Sequence, residues 1–127
     1  MRACILAAGV GQRLRPLTDD RPKALVEIAG KSFLDRLIAQ LVAVGVRELV
    51  IATGWRAEAV ARAVEGAPIA VTTCLNEAFD RTQNSVSFLA CRDALLAGGA
   101  VDTLKLDGDI VIDVDVLRRL IAARADT

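Results

Sequence analysis

The chain contains no histidine and no tyrosine, and its aromatic residues are one tryptophan and three phenylalanines. Without histidine, neither a histidine-based acid–base mechanism nor a zinc site of the usual ligand sets can be assembled. Cysteine is scarce as well. Cys4, Cys74 and Cys91 are widely spaced, lie in apolar segments and form no Cys-x-x-Cys pair, so they read as buried free thiols rather than a nucleophile. No apolar run approaches the ~20 residues that a membrane span needs. The apolar stretch after Met1 and Arg2 is too short for a secretory signal. Formal charge cancels, 16 basic residues against 16 acidic, which does not suit a general binder of polyanions. The expectation is a soluble, cytoplasmic chain with no membrane contact and no nucleic-acid partner.

What is present is mostly aliphatic: of 127 residues, 54% are apolar and 3% aromatic. That composition fits a parallel sheet buried on both faces, and the length fits one domain. Short apolar runs at residues 3–8, 48–52, 69–75 and 102–106 read as strands, and residues 24–28 as a short extended piece. Ser32 to Asp35 approximates a capping box. Leu34, Leu37, Ile38 and Leu41 then recur at helical spacing until Gly45. Ala57, Val60, Ala61 and Val64 mark a second helix, and Val86, Phe88, Leu89, Cys91, Leu95 and Leu96 a third. Asp113 caps a last one, with Val116, Leu117, Leu120 and Ile121 on one face. Strands alternating with helices imply a three-layer α/β/α fold with a mainly parallel, Rossmann-like sheet.

The most informative stretch runs from Leu6 to Lys23, LAAGVGQRLRPLTDDRPK. Gly9 and Gly11 follow a strand and allow close approach of backbone to a ligand. Freed amides beside Arg13, Arg15, Arg21 and Lys23 suit a polyphosphate. The ATPase phosphate loop is excluded, because no Gly-Lys-Ser/Thr follows. The dinucleotide fingerprint fails too, since Leu14 occupies the third glycine position. Opposite this cationic loop stand Asp107, Asp109, Asp113 and Asp115, a carboxylate cluster suited to a divalent metal. A polar loop at residues 76–85, after a strand end, offers Asn and Gln side chains to read a base or ribose, or serves only as a solvated turn.

Leu-Ala-Ala-Gly-x-Gly-x-Arg-Leu-x-Pro-Leu-Thr, followed by Pro-Lys-Ala-Leu, resembles the signature of nucleotidyltransferases that join an NTP to a sugar phosphate or alcohol phosphate. The resemblance implies a nucleotide-diphospho-sugar transferase fold, with Arg13 and Lys23 as catalytic cations on phosphate. It implies nucleotide contacts from Leu6, Ala7, Ala8, Gly9, Gly11, Arg13 and Asn84, and Mg2+ held by Asp109, in the Gly108-Asp109 position of the family. Asn76, Phe79, Thr82, Gln83, Asn84, Ser87 and Phe88 resemble the Asn-x-x-Tyr-x-x-Thr-Asn-Asn-x-x-Ser-Leu pattern of the choline-phosphate cytidylyltransferase branch, with Phe79, Gln83 and Phe88 as departures. The resemblance therefore implies CTP as the favoured NTP and a small phosphorylated alcohol as acceptor. Uridylyl or thymidylyl transfer to a sugar 1-phosphate is the competing reading.

Members of that family continue downstream, with acceptor-binding segments and a second metal carboxylate. Residues 1–127 are accordingly expected to form the NTP-binding, N-terminal half of a longer domain. A quaternary-ammonium acceptor would want an aromatic cage, to which Trp55 and three phenylalanines contribute little. A nucleotide-binding module without turnover stands as the alternative from another class, and a homo-oligomer is left open.

Overall fold

The computed structural model of the protein describes residues 1–123. Strand β1 (Arg2–Ala7) leads through 3₁₀ turns at Gln12–Leu14 and Lys23–Leu25 to a small antiparallel pair, β2 (Glu27–Ile28) and β3 (Lys31–Ser32). Then follow α1 (Phe33–Ala43), β4 (Glu48–Thr53), α2 (Ala57–Ala63) and β5 (Ala70–Leu75). The remainder is α3 (Asn84–Ala90), α4 (Arg92–Leu96), β6 (Thr103–Asp107) and α5 (Val114–Ala122). The main sheet is parallel in the order β5-β4-β1-β6.

Side-chain alternation sorts β1 and β4 between two cores. Ala3, Ile5, Ala7, Leu49 and Ile51 join Leu34, Leu37, Ile38 and Leu41 of α1, Val60 of α2 and Leu117 of α5 on one face. Cys4, Leu6, Val50 and Ala52 meet Cys91, Ala94 and Leu95 on the other. This is the expected three-layer α/β/α arrangement. Helix α1 begins as its cap predicts, with Ser32 Oγ accepting from the Asp35 amide at 3.0 Å. Asp113 likewise caps α5, accepting from the Asp115 amide at 2.7 Å. Among the described residues, no helix is long and apolar enough to cross a membrane.

Four expectations need correction. Of the extended piece expected over residues 24–28, Glu27 and Ile28 are a strand, but residues 24 and 25 lie in a 3₁₀ turn: the Leu25 amide bonds to Pro22 O and the Val26 amide to Lys23 O, so Pro22 sets up a turn. The third helix is broken at Cys91, whose amide turns to Phe88 O and whose side chain is pulled into the core between α3 and α4. On α5 only Leu117 is fully buried, while Val116 and Leu120 are 53% and 51% exposed. The sheet is buried on both faces only at its centre, because β5 is an edge strand and four of its six residues are exposed.

The three thiols, distant in sequence, gather on the α3–α4 side of the sheet. Burial pushes the Cys74 thiol up to about 11. A side-chain hydrogen bond with Cys4, together with burial, pushes Cys91 upward as well. These thiols pack as small apolar groups; Cys74 is only half-buried.

Arg2 escapes sequence reasoning. Its buried guanidinium donates from Nε to Glu48 Oε2 at 2.7 Å, and from Nη1 and Nη2 to the carbonyls of Ala94, Leu95 and Ala97. These carbonyls lie at the end of α4, so Arg2 ties that helix to the start of β1. Arg2→Ala is expected to cost about 2–3 kcal/mol, read as a lower urea midpoint at constant m-value. Lysine should rescue little, lacking the planar fork that reaches several acceptors.

Candidate active site

The chain runs from β1 outward through β4 to β5, then returns to place β6 on the other side of β1. Parallel sheets open a crevice at such a reversal, beyond the carboxyl ends of the strands. A cleft of about 250 Å³ lies there. Leu6, Ala7, Gly9 and Gly11 form one wall, Lys23 and Ala24 a second, and Asp107, Gly108 and Asp109 a third, with Asn84 at the rim.

Each wall has a local cause. Gly11 adopts φ +69, and a Cβ there would stand 2.9 Å from Thr18 Cγ2. Thr18 is buried and donates from Oγ1 to the Gly11 carbonyl at 2.6 Å, closing the loop on itself. Sequence reasoning quoted Thr18 within the motif and missed this role. The buried Pro22 and the following 3₁₀ turn bring Lys23 back beneath the glycines. The third wall is held to the first where the Gly108 amide donates to Leu6 O at 2.9 Å.

The charges are arranged in pairs. Lys23 Nζ donates to Asp109 Oδ2 at 2.8 Å, joining residues 86 positions apart. Lys105 Nζ donates to Asp107 Oδ1 at 3.0 Å along β6. The wider clusters of the sequence dissolve: Arg15 faces Asp19 at 3.8 Å, Arg21 faces Asp20 at 3.1 Å, and Asp115 faces Arg118 at 2.8 Å, all on the surface. The exposed Asp20 carboxyl is held below its usual range by its hydrogen bond from Arg21. Asp113 is spent as a cap.

Of the residues singled out from sequence, Leu6, Ala7, Gly9, Gly11, Lys23, Asn84 and Asp109 border this cleft. Ala8 and Arg13 do not. The Ala8 carbonyl instead accepts from the Trp55 amide at 3.3 Å, fastening β1 to the loop after β4. Arg13 projects from its 3₁₀ turn into solvent, without an ion pair among the described residues.

The polar loop at residues 76–85 has a different role from the one its composition invites. Asn76 is buried, and its Nδ2 donates to Thr82 Oγ1 and to Ser87 Oγ, both at 3.0 Å. Its Oδ1 accepts from the Ala78 amide, and its own amide donates to Thr53 O. With donors and acceptor engaged, Asn76 is a structural knot rather than a reader of bases. The knot fixes the start of α3 and thereby the position of Asn84.

Comparison with known proteins adds the following. Residues 3–127 match the MobA-like NTP transferase domain. N-acetylmuramate alpha-1-phosphate uridylyltransferase of Caulobacter vibrioides is 52% identical over 58 residues, 46% of this chain and 24% of the relative. CTP:phosphoglutamine cytidylyltransferase of Campylobacter jejuni is 31% identical over 128 residues, 99% of this chain and 50% of the relative. The solved CTP:phosphocholine cytidylyltransferase of Streptococcus pneumoniae superposes with a TM-score of 0.73 at 30% identity, covering 85% of this chain and 44% of its own. The chain thus spans at most half the length of these three proteins, all of them nucleotidyltransferases.

Proposed function

This chain belongs to the MobA-like NTP transferase domain family, and from that premise we propose that it holds a nucleoside triphosphate in the β1–β6 cleft for transfer of a nucleotidyl group to a small phosphorylated acceptor. Pyrophosphate leaves in the same step. The observation that carries this reading is the convergence of the Gly9–Gly11 loop, Lys23 and two carboxylates, from three separated segments, on one cleft. The reading extends to residues 1–127 as the N-terminal half of a longer transferase domain, in keeping with the partial coverage of its relatives. A cytoplasmic site of action accords with a triphosphate substrate.

The acceptor's phosphate oxygen attacks the α-phosphorus of the NTP, and the bond to the β-phosphate oxygen breaks. Both reactants are anions, so alignment and charge neutralisation dominate the barrier. The amides of the glycine loop face the triphosphate, and Lys23 places a compact ammonium on phosphate oxygens. Arg13, free in solvent on the same loop, folds over the leaving phosphates. The cleft's donor set fits a hard divalent cation: Asp107 and Asp109 are carboxylates on one wall, with no thiol or imidazole among the lining residues. Among the described residues there is no cluster of three or more metal-binding side chains. The two carboxylates would therefore hold Mg2+ together with phosphate oxygens and water. Bound there, Mg2+ supplies charge neutralisation on the phosphates.

CTP is the favoured nucleotide. The resemblance of residues 76–88 to the cytidylyltransferase pattern, within which Asn84 borders the cleft, and the superposition on a CTP:phosphocholine enzyme over 85% of the chain, support it. Transfer from UTP to a sugar 1-phosphate is the second reading, favoured by 52% identity to a uridylyltransferase over 58 aligned residues.

Thermal-shift titration against CTP, UTP, GTP and ATP, with and without Mg2+, tests both. A ligand of the folded state alone must raise the midpoint. The largest shift is expected with CTP and Mg2+, and Asp109→Ala should remove the dependence on Mg2+. A larger shift with UTP would transfer the assignment to the second reading, and no shift with any nucleotide would overturn both. Nucleotide binding without pyrophosphate release, when acceptor is supplied, would identify a non-catalytic module.

A further inference from the structure

Both carboxylates at the cleft are already occupied by ammonium groups of this chain. Asp109 is bound by Lys23 and Asp107 by Lys105. Lys105 sits two residues before Asp107 on β6, so the two side chains lie on the same face of the strand. It borders a neighbouring recess, lined by Leu6, Asn84, Ser85 and Phe88, which meets the main cleft at Leu6 and Asn84. Lys23 approaches from the opposite wall. Each carboxylate is thus covered from its own side, and the anionic wall is internally neutral.

The exposures show what such pairs can do. The side chains of Lys23 and Asp109 are 33% and 37% exposed, and those of Lys105 and Asp107 are 47% and 45% exposed. Pairs this open contribute little to stability and separate at little cost. They can therefore exchange partners, a carboxylate passing to a metal ion while its ammonium passes to phosphate. A cation arriving alone displaces an ammonium that has no second anionic partner among the described residues, and then shares the site with that like charge. With triphosphate present, the displaced ammonium has a partner.

We propose that Lys105, together with Lys23, is a built-in counter-ion that holds the metal position against a lone divalent cation and is released to phosphate when cation and nucleotide enter together. This assigns Lys105 as a positioning residue of the cleft, acting through Asp107. The inference rests on the nucleotide-binding reading above for its second half. Its first half, exclusion of the lone cation, concerns this chain without nucleotide.

The test is Mn2+ binding to the full chain, followed by the electron paramagnetic resonance of free Mn2+, for wild type, Lys105→Met and Lys23→Met. Removing one ammonium from contact with the cation's position should tighten Mn2+ binding about tenfold in each variant. CTP binding in the presence of Mn2+, measured by calorimetry, should weaken in the same variants. A side chain with only a structural role would move the urea midpoint and leave Mn2+ affinity alone. Mn2+ affinities within about twofold of wild type in both variants would overturn the counter-ion inference. If wild type binds no triphosphate with Mn2+ present, the nucleotidyltransferase reading fails instead, and the Mn2+ titrations still decide the first half.

Discussion

Gly54→Ala is expected to lower the stability of the chain by about 3 kcal/mol, the upper range for overpacking a closed site. A Cβ at this position would stand 2.5 Å from Phe79 Cβ, 2.8 Å from Phe79 Cγ and 2.7 Å from the Ala8 carbonyl oxygen. None of the three can move cheaply. The Ala8 carbonyl is held by the Trp55 amide, and the Phe79 amide is bonded to Asn76 O inside the buried knot with Thr82 and Ser87. Relief therefore requires separating the ends of β1 and β4 from the polar loop, which also displaces Asn84 from the cleft rim. A urea titration reads the first effect as a shifted midpoint at unchanged m-value, and CTP titration reads the second. A midpoint change under about 0.5 kcal/mol would show that the Phe79 loop yields freely, and that its packing does not position the site.

Lys23→Ala is expected to weaken triphosphate binding by about thirty- to a hundredfold, or 2–3 kcal/mol, while stability changes by less than about 0.5 kcal/mol. The asymmetry follows from geometry. In the free chain Lys23 is one member of a pair a third exposed to water, so folding gains little from it. With triphosphate and Mg2+ bound, Asp109 passes to the metal and Lys23 to phosphate, so loss of Lys23 removes a contact cation from the anion. Arginine should restore only part of the affinity, because its longer planar fork does not fit the space of a compact ammonium beneath the glycines. Calorimetry with CTP and Mg2+ at fixed ionic strength measures the loss. An affinity within twofold of wild type would remove Lys23 from the site.

Periodicity explains why much of the fold could be read in advance. Leu34, Leu37, Ile38 and Leu41 fall on one stripe of α1, and Ser32 announces its start, because capping and amphipathicity are local properties. Strand order is not local. Nothing in residues 102–106 states that they pair with β1 rather than extend the sheet beyond β5. The break at Cys91 was also hidden, since the apolar spacing of residues 86–96 continues through it, and burial of one thiol decides the matter. On α5, Val116 and Leu120 share the stripe with Leu117 but find no partner layer among the described residues.

The site divides in the same way. The glycine loop and Lys23 stand in one contiguous motif, and a motif carries its own geometry. Asn76 shows the limit of reading by composition: an asparagine in a polar loop invites a ligand, and only its three neighbours reveal that it is already satisfied. Lys105 could have been found, because two-residue spacing on a strand places it beside Asp107. The Lys23–Asp109 pair could not, since a separation of 86 positions leaves no local trace of it.

The central place of β1 also governs when the cleft can exist. Arg2 meets Glu48 on one side and Thr103 on the other, so the first strand made has one early and one late neighbour. Contacts distant in sequence form only after longer chain closures, and a growing chain presents its segments in order. Strands β1, β4 and β5 can assemble while β6 is still absent. Asp107 arrives as the last residue of β6, and Asp109 two positions later. A partly made chain thus carries the cationic glycine loop without its anionic wall. Competence to bind is a property of completed assembly, and the cleft reports that the last strand has docked.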